Sequence, residues 1–192
     1  MNRIAPILST LAAITVCVVQ GEETPKGWFH AGNRPNDYRM SVDRQIVHRG
    51  KASASLQSTV QETSGFGTLM QTFKAEAYRG KRVRMSGYVR AKAVSDWAGL
   101  WMRVDGPKSE PLAFDNMQER PVKGDANWTR YEIVLDVPDH AAEIAFGLLL
   151  TGKGQVWMDD LKFEVVGNDV PTTGNRLDKE TVSAPVNLDF EQ

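Results

Sequence analysis

One cysteine in 192 residues, Cys17, leaves the chain unable to close a disulfide on itself. Histidine is nearly as scarce: His30, His48 and His140 share no metal-ligand spacing. Charge of either sign is not in excess. Lysine and arginine total 23 against 24 acids, a formal net of −1, so no nucleic-acid partner is expected. No long stretch carries apolar residues at helical spacing between two caps, which excludes a helical bundle. A nucleophile elbow, a phosphate loop and a prominent carboxylate pair are all missing, and no enzyme activity is expected.

What is present begins with a leader-like opening. Met1-Asn2-Arg3 is a short positive start, and Ile4 to Val19 is an uncharged apolar run containing Pro6. It is shorter than the roughly 20 residues that a spanning helix needs. Residues 1–21 therefore read as a signal peptide cut after Gly21, and Ile14-Thr15-Val16-Cys17 leaves lipidation at Cys17 open. A secreted, periplasmic or envelope-associated chain is expected, with no stable membrane span.

Residues 22–166 consist of short alternating runs separated by Gly, Pro, Asn and Asp. That pattern predicts an all-β chain of two antiparallel sheets. Val83, Met85 and Val89 share one parity, and Arg84, Ser86, Tyr88 and Arg90 the other. Leu100, Met102 and Val104 alternate with Trp101 and Arg103. Further strands are expected at Tyr38–Val42, Ala52–Gln57, Thr68–Phe73, Tyr131–Val137 and Ile144–Leu150. From Gln155 to Val165 the apolar parity slips: Val156 and Met158 precede Leu161, Phe163 and Val165. One face stays apolar only if an extra residue is inserted near Asp159-Asp160, so a β-bulge is predicted there. Trp128 reads as a core anchor. Residues 167–185 are polar and aperiodic and read as a linker, and 186–192 alternate once more.

Several of these pieces stand in a familiar order. Gly27-Trp28, Tyr38-Arg39-Met40-Ser41-Val42-Asp43, His48-Arg49-Gly50-Lys51-Ala52-Ser53, Gln71-Thr72-Phe73, Gly80 to Val89, and Val156-Trp157-Met158-Asp159-Asp160-Leu161 follow one another over about residues 25–166. The series resembles the jelly-roll carbohydrate-binding modules of bacterial glycanases, within the galactose-binding-domain-like superfamily. The resemblance implies a jelly-roll β-sandwich and non-catalytic binding of a glycan. It also implies a structural calcium ion at Asp160, Glu191 and main-chain oxygens near Arg49 to Lys51. Such modules open with a strand reading roughly Asn-Leu-x-Phe-Glu. Here that pattern, Asn187-Leu188-Asp189-Phe190-Glu191, stands at the far end. Either it folds back to complete the sandwich or it begins a second module.

The non-core parity supplies the candidate ligand face: Arg84, Tyr88 and Arg90 on one strand, Trp101 and Arg103 on another, Gln155 and Trp157 on a third. Sugar rings stack on aromatic planes, and their hydroxyls pair with Arg, Asn, Asp and Gln. Asp115, Asn116 and Gln118, in a loop ending at Arg120, are expected to rim the same cleft. Two alternatives stay open: tryptophans that simply pack, and a protein-interaction or structural domain of the envelope. Oligomeric state is not legible.

Overall fold

A parity that is apolar on one side of a strand seeks a core, and the described part of this chain satisfies that demand with strands alone. The computed structural model describes residues 25–177. The expected leader, Cys17 and the segment 186–192 with Glu191 lie outside the described residues. The strands are β1 (Phe29–Gly32), β2 (Tyr38–Asp43), β3 (Ser53–Ser58), β4 (Phe66–Lys74), β5 (Lys81–Asp105), β6 (Pro111–Asp115), β7 (Val122–Val137), β8 (Glu143–Thr151), β9 (Gln155–Val166) and β10 (Asn175–Arg176). Two short 3-10 turns, Pro35–Asp37 and Ala75–Tyr78, are the only helical pieces among the described residues.

Every strand pairing is antiparallel. The first half of β5 pairs with β7 on one side and β9 on the other, giving a first sheet ordered β7-β5-β9-β3-β2. The second half pairs with β8 and β6, giving a second sheet ordered β1-β4-β8-β5-β6-β10. β5 therefore belongs to both layers of the sandwich. The two inner faces meet in one core, with Val83, Met85 and Val89 from the first half of β5 against Leu100, Met102 and Val104 from the second, all fully buried.

The inward parity changes along β5, from odd residues through Ala91 to even residues from Val94 onward. Ala93, at φ 53°, and the register shifts between Ala91 and Ala98 accomplish the crossing. A similar slip is seen on β9. Asp159 pairs with Tyr88 and Lys162 with Ser86, so β9 carries one extra residue. Asp160 sits there at φ 52°, a left-handed conformation typical of a bulge. The bulge keeps Leu161 and Phe163 on the core side. Gly87 leaves the space for Leu161, since a Cβ there would come within 2.6 Å of its Cδ2.

Two expectations need correction. Residues 167–177, expected to be linker, form a strap on the sandwich. Arg82 donates to the carbonyls of Asn168 (3.0 Å) and Val170 (2.7 Å). Thr173 exchanges bonds with the main chain of Val134 on β7, and β10 pairs with β6. Both β7 and β6 are edge strands, whose free main-chain groups need partners; polarity without periodicity concealed that role. Trp128 is not a core anchor either. It lies half-buried on the outer face of the first sheet, its ring 5.7 Å from that of His48.

Candidate binding cleft

The loop between β2 and β3, residues 44–52, lies over the outer face of the first sheet and is pinned at two points. At its start Asp43 Oδ1 accepts the main-chain N–H of Gln45 (2.8 Å) and Ile46 (3.0 Å), and Oδ2 accepts the indole N–H of Trp157 (2.8 Å). Burial pushes the Asp43 carboxyl up, but the donors from Ile46, Trp157 and Gln45 outweigh it and hold the group below the usual carboxylate range. At the other end Asp159 Oδ2 accepts the main-chain N–H of His48 and Arg49, each at 2.9 Å. Between the pins the His48 ring stacks on Tyr88, with centroids 3.6 Å apart and planes 16° off parallel.

Beside this loop opens a cleft of about 450 Å³. Ile46 and Trp157 form one wall, Arg90 and Lys92 rise from β5, Asp125 and Asn127 come from β7, and Gln155 from β9. The Arg90 guanidinium carbon lies 6.0 Å from the Trp157 ring centroid, at the reach of a cation–π contact. Asp125 Oδ1 accepts the N–H of Ala93 (2.7 Å), fixing the crossover of β5, and Gln155 donates to Ser55 Oγ (2.9 Å).

The structure divides the expected ligand face. Arg84, Tyr88 and Trp157 share the outer side of the first sheet. Trp101 and Arg103 lie on the outer side of the second sheet, across the core, because β5 changes layers between them. Neither tryptophan is an open platform. Trp101 is 7% exposed, packs with Ala145 and Leu149, and donates to Thr68 Oγ1 (2.7 Å); Trp157 is 4% exposed. Arg103 chelates Asp105 at 2.8 Å, and Arg84 lies 3.4 Å from Glu164. The loop residues are also structural. Asp115 is buried, takes the Arg120 guanidinium (2.7 Å) and the Thr173 hydroxyl (2.5 Å), and so ties the strap down. Asn116 accepts the N–H of Gln118, whose side chain is exposed away from the cleft.

Of the expected ligand face, Arg90, Gln155 and Trp157 line the cleft; Arg84, Tyr88, Trp101, Arg103, Asp115, Asn116 and Gln118 do not. Lys92 continues the outward parity of Arg84, Tyr88 and Arg90, a signal that could have found it. Ile46 sits in the loop after β2, and Asp125 and Asn127 in the polar first half of β7, ahead of the apolar alternation that begins at Tyr131, so none of the three carries such a signal.

Only part of the calcium site that the resemblance implies falls on described residues, since Glu191 lies outside them. The carboxylate that meets the turn at His48 and Arg49 belongs to Asp159 rather than Asp160, and it faces N–H donors, which a cation would not tolerate. Among the described residues no group of three His, Cys, Asp or Glu side chains is placed to hold a metal ion.

The geometry can now be set beside known proteins. A xylan-binding domain from Paenibacillus barcinonensis superposes with a TM-score of 0.54 at 16% identity, over 76% of this chain and 89% of that one. The chain has the fold of the carbohydrate-binding modules. A cyclase from Fischerella sp. TAU shares the fold too, with a TM-score of 0.54 at 15% identity over 74% of this chain and 86% of that one. By sequence, the chain is 49% identical over 172 residues to an uncharacterized HTH-type transcriptional regulator, YbfP, of Bacillus subtilis. The match covers 89% of this chain and 58% of the relative, so the chain spans less than two thirds of that protein. No family model matches.

Proposed function

We propose that the described domain is a non-catalytic binding module that takes a saccharide in the cleft beside the 44–52 loop. One observation carries the reading. The cleft presents the side chains of Arg90, Lys92 and Asn127, and none of the three side chains makes a hydrogen bond among the described residues. Unspent donors and an amide around an open cleft are what a ring bearing several hydroxyls requires. The fold shared with a xylan-binding domain supports the same reading. A glycan array followed by calorimetry on the positive sugars tests it. Asn127→Ala and Arg90→Ala should each weaken binding while the melting temperature stays near wild type. A protein that binds no sugar on the array, or variants that bind as wild type does, would overturn it. Release of a modified sugar product would favour catalysis, as the cyclase on this fold allows.

The extracytoplasmic location belongs to the proposal and rests on residues 1–21. A second reading rests on the Bacillus subtilis relative: a ligand-sensing part of a regulator-like protein. A helix-turn-helix needs two packed helices, and the described residues hold no α-helix, so DNA contact would have to come from elsewhere. Fractionation of the source cells separates the two readings. Chain starting at residue 22 in the envelope or medium supports the first, and intact chain inside the cell supports the second.

A further inference from the structure

The charges of the cleft narrow the kind of saccharide. Several guanidinium groups among the described residues are matched to acids: Arg82 with Asp136 at 2.7 Å, Arg103 with Asp105 at 2.8 Å, Arg120 with Asp115 at 2.7 Å and Arg130 with Glu132 at 2.9 Å; Arg79 instead donates to the Ala141 carbonyl at 2.6 Å. Arg90 and Lys92 have neither kind of partner. Both rise from the same side of β5 into the cleft, and among the described residues neither has a carboxylate or a hydrogen-bond acceptor as partner. Arg90 is half-buried and held against the Trp157 ring, a contact that orients the guanidinium yet leaves its N–H donors unspent. The one acid in the cleft, Asp125, has an oxygen committed to the Ala93 N–H. Two cations against one acid leave the cleft with a formal charge of +1.

A partly desolvated guanidinium without an acceptor is unfavourable. A ligand anion would supply that acceptor through a paired, charge-assisted contact. Alternate residues of a strand stand roughly 6.6 Å apart, and both side chains are long enough to converge on one carboxylate.

We infer that the cleft is built for an acidic saccharide, one bearing a uronic-acid carboxylate that Arg90 and Lys92 clasp together. The inference rests on the saccharide reading above and names its ligand class. The experiment is calorimetry on the full chain with oligogalacturonate, alginate and glucuronoxylan oligosaccharides, each beside its carboxyl-reduced, neutral form. At least one acidic form should bind about tenfold or more tightly than its reduced partner, as expected when a charged hydrogen bond is lost. That advantage should fall with added salt, and it should shrink in Arg90→Gln and in Lys92→Gln, both melting like wild type. Equal binding of acidic and reduced forms would overturn the inference and leave the saccharide reading standing. Binding of neither form would overturn the inference, and the glycan array then decides the saccharide reading separately. Equal affinity for a single-stranded oligonucleotide would show a general polyanion patch and also overturn the inference.

Discussion

Replacing Trp157 with phenylalanine isolates a single bond. The phenyl ring keeps most of the apolar contact under the 44–52 loop, while the indole N–H that reaches Asp43 Oδ2 at 2.8 Å is lost. Asp43 retains its two main-chain donors from Gln45 and Ile46, so the carboxylate is weakened as a pin but not stranded. A hydrogen bond to a charged acceptor contributes about 1.5–3 kcal/mol. For a domain of this size each kcal/mol moves the melting temperature by roughly 2–4 °C, so Trp157→Phe should melt about 3–12 °C below wild type. Scanning calorimetry measures the shift, and a cycle with Asp43→Ala assigns it. The two losses should fall well short of adding, because both remove the same bond. Additivity within about 0.3–0.5 kcal/mol would refute the pin. So would a Trp157→Phe protein that melts like wild type but loses its ligand, because the ring would then face the sugar.

Three further outcomes follow from the same contacts. Gly147 on β8 lies against β4 so closely that a Cβ would overlap the Leu69 carbonyl oxygen. Gly147→Ala should therefore lose about 1–3 kcal/mol or more, as overpacked sites do, and wild-type urea unfolding would contradict it. A chain ended at residue 166 should melt lower and aggregate sooner than one ended at 177, since the edges of β7 and β6 lose the strap; equal melting would return 167–177 to linker. The folded state binds a proton at Asp43 more weakly than the unfolded chain does. The pin's contribution is then complete above the ordinary carboxylate value near ~3.9 and fades as pH falls through the lower folded value. The melting difference between wild type and Asp43→Asn should stay constant above about pH 5 and shrink in acid; a pH-independent difference would count against the assignment.

Much of the architecture was legible because parity is a physical quantity. Val156 and Met158 against Leu161 and Phe163 demanded an inserted residue, and the bulge is at Asp160. The same argument applied to β5 would have exposed the layer change, for Val83–Ala91 and Val94–Val104 carry their apolar residues on opposite parities. Residues 91–98 alternate too poorly to read as strand, so parity alone presents the two halves as separate strands of one sheet. That one error put Trp101 and Arg103 beside Trp157, when the core separates them. The cleft was less legible still. Its loop is pinned by Asp43 and Asp159, contacts that span more than a hundred residues of sequence, and no local pattern encodes such a meeting. Asp115 misled for a related reason: a loop acid looks free until its arginine and threonine are seen.

A sandwich made of two independent sheets has a seam, and heat or force can open it one layer at a time. β5 removes that option, because its backbone is a strand of both layers and its middle is the hinge between them. One layer cannot lift away without tearing hydrogen bonds from the other, so loss of order should propagate through the whole body at once. The protein carries its own reporters for this, since Trp157 lies outside one layer and Trp101 outside the other. In each single-tryptophan variant keeping one or the other, the fluorescence transition should coincide with that same variant's loss of β-sheet dichroism, the signature of a single cooperative unit.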